Sequence, residues 1–271
     1  MSDLDYQFNK DSNKASTIDC ISPKEKIIIS ICIVAIFLIA LIIIILVVTI
    51  EEETKDKTLD FSGFVIVNDI VPDIITELRY FSTFNFVGKK IDGYEEPIAL
   101  LTKEAAIKLK NVSDYFDRIG YRIKIWDSYR PQKAVDHFMK WTENNDTSMK
   151  EYFYPDIEKT KDNLVPIYIS DRSGHTHGST IDMTLVYKKN GTDVDFGTGF
   201  DYFGTLANTN NTEGLTQQQI YNRKLLNDTM FENGFKNLDS EWWHYTLINE
   251  PYPDIFFNFP VNGTLIRQNG N

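Results

Sequence analysis

Two short stretches of this chain carry residue types able to bind a metal and move a proton. The first, SGHTHGSTID (173–182), offers His175 and, seven residues on, Asp182; Gly174 and Gly178 flank the histidine and let the backbone turn there. The second, EWWH (241–244), sets Glu241 three residues before His244. Two imidazoles and one carboxylate form a three-ligand set for catalytic zinc, with the fourth position left to water. Glu241 then serves as a carboxylate beside that water, placed to accept its proton without touching the metal. A third stretch, WDSYRP (126–131), puts Arg130 between a strand end and a helix start at Pro131, where a guanidinium can stabilise a developing oxyanion.

Each of these residues also has a purely structural reading. A histidine is more often packed or exposed than metal-bound, and Asp182 can bond backbone at a strand edge. Glu241 can pair with a basic residue, and Arg130 can pair with Asp127. The histidine spacing matches no HExxH-type helix, so pattern alone leaves both readings open. Trp242 and Trp243 read as core. His177 reads as neighbour to the site or as exposed, and His137, without acidic or histidine companions on its helix, as structural.

The elements that must position these residues are legible from periodicity. Thr102 caps an expected helix in which Ala105, Leu109, Val112, Phe116 and Ile119 recur every three or four residues, ending at Gly120. YRIKIWD (121–127) alternates as a strand, and a second helix opens at Pro131 with Ala134, Val135, Phe138 and Trp141 inward. TIDMTLVY (180–187) alternates again, with Ile181, Met183, Leu185 and Tyr187 on one face and Asp182 on the other. Thr216 and Gln219 make a capping-box pair before a third helix that stops near Gly234, and WWHYTL follows as a strand. This order predicts an α+β domain with an antiparallel central sheet and flanking helices, not a doubly wound βαβ array.

The composition excludes several classes. The 271 residues are 42% hydrophobic and 25% charged, ordinary globular values. The net charge of -11, from 28 Lys+Arg against 39 Asp+Glu, with no basic block, argues against nucleic acid as a partner. The two cysteines, Cys20 and Cys32, precede residue 51, so the rest has no disulfide framework and no cysteine-based metal site. Residues 27–50 are 24 uncharged, mostly aliphatic residues. As a helix they reach about 36 Å, enough to cross a bilayer. A cleaved signal peptide would have a shorter apolar region followed by small residues, whereas here Glu51, Glu52 and Glu53 follow.

Lys24 and Lys26 before the span predict that the amino end is cytosolic and the bulk of the chain extracellular or lumenal, a single-pass type II arrangement. The expected organisation is a cytosolic tail (1–26), a transmembrane signal anchor (27–50), a polar stalk (51–60) and one domain (61–271). Six N-x-S/T sequons, at Asn111, Asn145, Asn190, Asn210, Asn227 and Asn262, fall beyond the span and agree with that orientation as candidate glycosylation sites. Cys20 reads as a reduced cytosolic thiol, with lipidation the alternative.

Taken together, these stretches resemble the D-alanyl-D-alanine dipeptidases, the VanX-like zinc peptidases of bacteria. The likeness runs in family order through LRYFSTFNFVG (78–88), IWDSYRPQKAV (125–135), SGHTHGSTIDMTL (173–185), DFGTGFD (195–201), GFKNLDSEWWHYTL (234–247) and PYPDIFFNFPV (251–261). It covers about residues 61–261 and leaves the anchor and tail aside. The resemblance implies a zinc D-alanyl peptidase-like fold with one zinc ion per domain, held by His175, Asp182 and His244. It implies Glu241 as catalytic base, Arg130 as the group polarising the scissile carbonyl, and Asp201 as the receptor for the substrate's free amino group. Tyr80 and Ser173 match positions near a small D-dipeptide substrate. His177 stands where the family usually has arginine, and Ala207-Asn208 replace a common Ser-His; these departures bear on substrate preference. The competing expectations are a related zinc carboxypeptidase or endopeptidase trimming longer wall peptides, and a catalytically silent binding module on the same fold.

Overall fold

A computed structural model of the chain describes residues 22–157 and 161–269. Most of the expected cytosolic tail, Cys20 included, lies outside the described residues. The chain divides into two units, Met1–Lys55 and Asp56–Asn271.

In the first unit the aliphatic run is helical and apolar on every face, and every residue from 22 to 50 is exposed. The helix extends from Pro23 to Leu59, past the end of the apolar stretch. The expected stalk is thus helical over 51–59. Glu51 with Lys55 and Glu53 with Lys57 stand at the i, i+4 spacing that supports an exposed helix.

The second unit is built on two sheets. Strands β1 (Phe64–Ile66) and β3 (Leu100–Thr102) pair antiparallel. The larger sheet has five strands in the order β2-β4-β5-β7-β6, with β2 Ile75–Thr76, β4 Tyr121–Asp127, β5 Thr180–Tyr187, β6 Phe235–Leu238 and β7 Glu241–Leu247. All its pairings are antiparallel except that of the two-residue edge strand β2, which runs parallel to β4.

The helices lie close to expectation. Lys103–Arg118 starts from Thr102, whose hydroxyl accepts from the Ala105 amide, and buries Ala105, Ala106, Leu109, Val112 and Phe116. Ile119, expected in that apolar stripe, is 44% exposed because the helix ends just before it. Gln132–Thr142 follows Pro131, which stands at the cap position and not inside the helix, and buries Ala134, Val135, Phe138 and Trp141. Gln217–Glu232 begins with the full Thr216–Gln219 capping box.

One expectation about faces is corrected. Strand β5 does not alternate between core and solvent: Thr180 through Val186 are all buried and only Tyr187, 37% exposed, reaches the surface. The strand is central in its sheet and covered on both sides, so Asp182 faces an interior cavity and not water.

Of the sequon asparagines, Asn111, Asn145, Asn190 and Asn210 are exposed, while Asn227 and Asn262 are half-buried. The Asn262 carboxamide donates to Glu95 Oε2 at 2.8 Å and accepts from the Thr264 amide at 2.9 Å, so it acts as a local turn brace.

Candidate active site and metal centre

The sheet register brings the acidic residues into line. Asp182 on β5 sits opposite Asp127 on β4 and His244 on β7. The β4–β5 pairing slips by one residue between Ile125 and Asp127. That bulge makes Asp127 the partner of Asp182; unbroken pairing would have assigned Trp126.

A second irregularity aims the EWWH stretch. In a regular strand, residues three apart point to opposite faces. Here the β6–β7 pairing shifts between Asn237 and Leu238, and the Asn237 carboxamide donates to the carbonyls of both Glu241 and His244, at 3.0 and 2.9 Å. Glu241 Oε2 and His244 Nδ1 thereby come within 3.4 Å of each other. Trp242 and Trp243 are core, as expected. Trp242 stacks on Phe196 with centroids 4.2 Å apart and donates its indole N–H to Thr198 Oγ1 at 2.8 Å.

His175 lies on a short 3₁₀ turn, Gly174–His177, whose preceding Ser173 hydroxyl accepts the His175 amide. Gly178 closes the turn at φ 79°, and a Cβ there would run into the Phe64 ring. The His175 Nδ1 lies 2.7 Å from the Ser128 carbonyl. That oxygen can only accept, so Nδ1 carries the proton and Nε2 presents its lone pair inward.

His175 Nε2, Asp182 and His244 Nδ1 converge. The separations are 3.1 Å from His175 Nε2 to Asp182 Oδ2, 3.1 Å from His244 Nδ1 to Asp182 Oδ1, and 3.3 Å between the two imidazole nitrogens. Ligand bonds of about 2.0–2.1 Å in a tetrahedral zinc site imply edges of about 3.3 Å between donors. Asp182 Oδ1 is buried and, although close to His244, has no aligned hydrogen-bond donor. A buried anion with inward-facing lone pairs around it calls for a cation, and the donor set fits zinc.

The electrostatics agree. Burial works against ionisation of Asp182, but the neighbouring His175 and His244 imidazoles more than offset it and pull its carboxyl below the usual range. Burial likewise opposes the His244 imidazolium, yet the Asp182 and Glu241 carboxylates push it up to about 9.

Arg130 makes the expected structural pair and also lines the cavity. Its Nε donates to Asp127 Oδ2 at 3.0 Å, the expected structural pair, while the other nitrogens reach the Ser173 hydroxyl at 3.4 Å and Asp182 Oδ2 at 3.7 Å. Asp127 is fully buried and accepts both the Tyr94 hydroxyl at 2.7 Å and Arg130 Nε, so it orients the guanidinium, while its other neighbour, His175 Nδ1, stands 3.6 Å away. Burial raises the Asp127 pKa despite the opposing Arg130 and His175.

Asp201 closes the other side of the cavity. It is the only non-glycine residue with positive φ, 58°, among the described residues, and it accepts the Tyr80 hydroxyl at 2.9 Å. Burial, then repulsion from Asp182 and Glu241, raises its pKa well above the usual carboxylate range. The loop that carries it is pinned by buried Arg223, which donates to the carbonyls of Phe196, Asn208 and Leu206 at 2.8, 2.8 and 3.0 Å. Arg223, on a helix, and Tyr94, in a loop beside Asp127, escaped the sequence reading, because nothing local marks the partner of a group distant in sequence.

Tyr80, Arg130, Ser173, Asp182, Asp201 and Glu241 line one cavity of about 290 Å³. That is the small end of ligand pockets, about 300–1,000 Å³. His177 lies apart from the cluster, with Nδ1 3.2 Å from Glu250 Oε1. His137 accepts the Asp92 amide at 3.2 Å, a structural contact as expected.

Comparison with known proteins accords with this geometry. The chain is 36% identical over 202 residues to the D-alanyl-D-alanine dipeptidase of Enterococcus faecalis, covering 74% of this chain and 99% of that protein. It is 37% identical over 202 residues to the enzyme of the same name from Enterococcus faecium, covering 73% and 98%. A solved vancomycin-resistance D,D-pentapeptidase in complex with Zn(II) overlaps at a TM-score of 0.35 and 12% identity, over 59% of this chain and 78% of that one, too slight a likeness to bear on the chemistry. Residues 60–262 match the Peptidase_M15 family, D-Ala-D-Ala dipeptidase, and with the relatives' near-complete coverage this establishes that the chain belongs to that family.

Proposed function

We propose that the domain hydrolyses D-Ala-D-Ala, or a closely similar free D-dipeptide, with one zinc ion held by His175, Asp182 and His244. The observation that carries this reading is the convergence of those three donors at tetrahedral spacing, with Glu241 beside them and Asp201 in the same cavity. When bound, zinc supplies Lewis acidity and an acidified water. Glu241 accepts the water's proton as the peptide carbonyl is attacked and then delivers a proton to the leaving amine. Arg130, steadied by Asp127, donates hydrogen bonds to the oxygen on which negative charge develops. Ser173 helps to hold that guanidinium.

Asp201, with the Tyr80 hydroxyl, receives the substrate's free ammonium. An acylated or longer amino end would leave the Asp201 carboxylate buried and unpaired, which disfavours the carboxypeptidase reading. A silent binding module has no chemical need for both Glu241 and Arg130, which disfavours that reading.

The reading extends to the whole chain as a single-pass type II membrane protein: tail 1–26, span 27–50, stalk 51–60, and the catalytic domain 61–271 outside the cytosol. It is supported by one helix long and apolar enough to cross a bilayer and by the charges at its two ends.

The test uses the full-length protein in detergent, loaded with zinc. It is expected to cleave D-Ala-D-Ala far faster than the N-acetylated dipeptide. Glu241→Gln is expected to bind zinc normally and lose turnover by about 100-fold or more. Arg130→Ala is expected to keep zinc and lose about 3 kcal/mol of barrier stabilisation. Equal rates on both substrates would favour the carboxypeptidase. Bound zinc with no hydrolysis of either would favour the binding module.

A further inference from the structure

Two guanidinium groups line the catalytic cavity, Arg130 and Arg172. Arg130 has acidic neighbours in Asp127 and Asp182 and is assigned above to the scissile carbonyl. Arg172 differs: it is exposed at the cavity wall, and among the described residues no carboxylate forms an ion pair with it. It lies over an aromatic face, its guanidinium carbon 4.5 Å from the Phe256 ring centroid. Such a contact gives the side chain a direction without neutralising its charge. Phe256 is itself braced edge-on by the His177 ring, with centroids 4.8 Å apart, and the nearby anion Glu250 is turned to His177 Nδ1 at 3.2 Å. A cation therefore stands at the edge of the site with no acidic partner among the described residues.

A free dipeptide is a zwitterion with three features to be met: an ammonium, a scissile carbonyl and a carboxylate. Asp201 answers the first, and Arg130 with the metal cluster the second. The acidic groups of the cavity, Asp182, Asp201 and Glu241, would repel the third. We infer that Arg172 is the receptor for the substrate's C-terminal carboxylate and so makes the enzyme selective for dipeptides that end in a free acid. This rests on the dipeptidase reading above and adds to it a residue that sets specificity at the carboxyl end.

The test compares kcat/KM for D-Ala-D-Ala and for its C-terminal amide, using full-length, zinc-loaded protein in detergent. The parent is expected to prefer the acid by about tenfold or more, the scale of a hydrogen bond to a charged group. Arg172→Gln is expected to collapse that ratio through KM on the acid, and Arg172→Lys, which keeps the charge, to restore most of it. Because the guanidinium is solvent-exposed, added salt is expected to erode the parent's preference. An unchanged ratio in Arg172→Gln, or an equal loss on acid and amide, would overturn the inference. A parent that cleaves acid and amide equally would overturn it too, while leaving the dipeptidase reading intact. A parent that cleaves neither would remove the dipeptidase reading and this inference with it.

Discussion

Asp182 and Asp201 are the same side chain at nearly the same depth, 2% and 5% exposed, yet their surroundings push their pKa values in opposite directions. Asp182 sits in the extended backbone of β5 with His175 and His244 each at 3.1 Å and Arg130 at 3.7 Å. Burial penalises its charge, the imidazoles outweigh that, and its pKa falls. Asp201 sits at positive φ in a loop with one hydroxyl for company; burial and the repulsion of Asp182 and Glu241 drive its pKa up. Burial alone therefore does not decide what a carboxylate is for. The charges built around it do, and this difference is what supports the proposed division of labour: a metal shared with two histidines at Asp182, a substrate ammonium at Asp201.

The largest test of this contrast is metal content. Asp182→Asn is expected to lose stoichiometric zinc and all hydrolysis, while Asp201→Asn keeps its zinc, both read by elemental analysis of the purified protein. The fold is expected to survive metal loss, since a sizeable core of its own holds the domain together. Zinc lost equally from both variants would erase the distinction.

A smaller effect lies in the pH dependence of stability. A carboxyl group whose folded pKa is raised contributes stability that is present below its unfolded value, about 3.9, and is lost as pH climbs toward the folded value. In zinc-free protein, Asp201→Asn removes that loss. Its Tm is expected to exceed the parent's at pH 7 and to match it at and below about pH 4. Asp182, whose folded pKa is lowered, has the opposite sign: its contribution is present above about pH 4 and is lost as pH falls. Asp182→Asn is therefore expected to cost most at neutral pH. Thermal unfolding followed by tryptophan fluorescence across pH reads both, and parallel curves would count against the pKa assignments.

The smallest effect concerns Tyr80. Tyr80→Phe deletes only the hydroxyl that Asp201 accepts. It is expected to cost about 1 kcal/mol in substrate binding, seen in KM, with zinc content and kcat little changed. A loss of zinc in this variant would mean that the two aspartates are coupled more tightly than their separate partners imply.

The sequence by itself determined the residue types, the helix starts at Thr102 and Thr216 and the apolar span, because these rest on local rules. A capping hydroxyl at Thr102, a capping box at Thr216 and Gln219, and 24 uncharged residues at 27–50 act over one or a few turns of chain. His175, Asp182, Glu241 and His244 stood out by residue type within two short stretches, although their spacing left a structural reading open. Tertiary structure alone decided how they meet. The bulge that sets Asp127 opposite Asp182, the irregular pairing that turns Glu241 toward His244, and the covering of β5 on both faces depend on strands far apart in sequence. So do the Tyr80–Asp201 hydrogen bond and the Arg223 clamp on the loop behind it. A one-residue slip in pairing moves a side chain to the opposite face, and no local pattern records that slip. Register and loop anchorage are properties of the packed sheet, set only when distant segments bury one another.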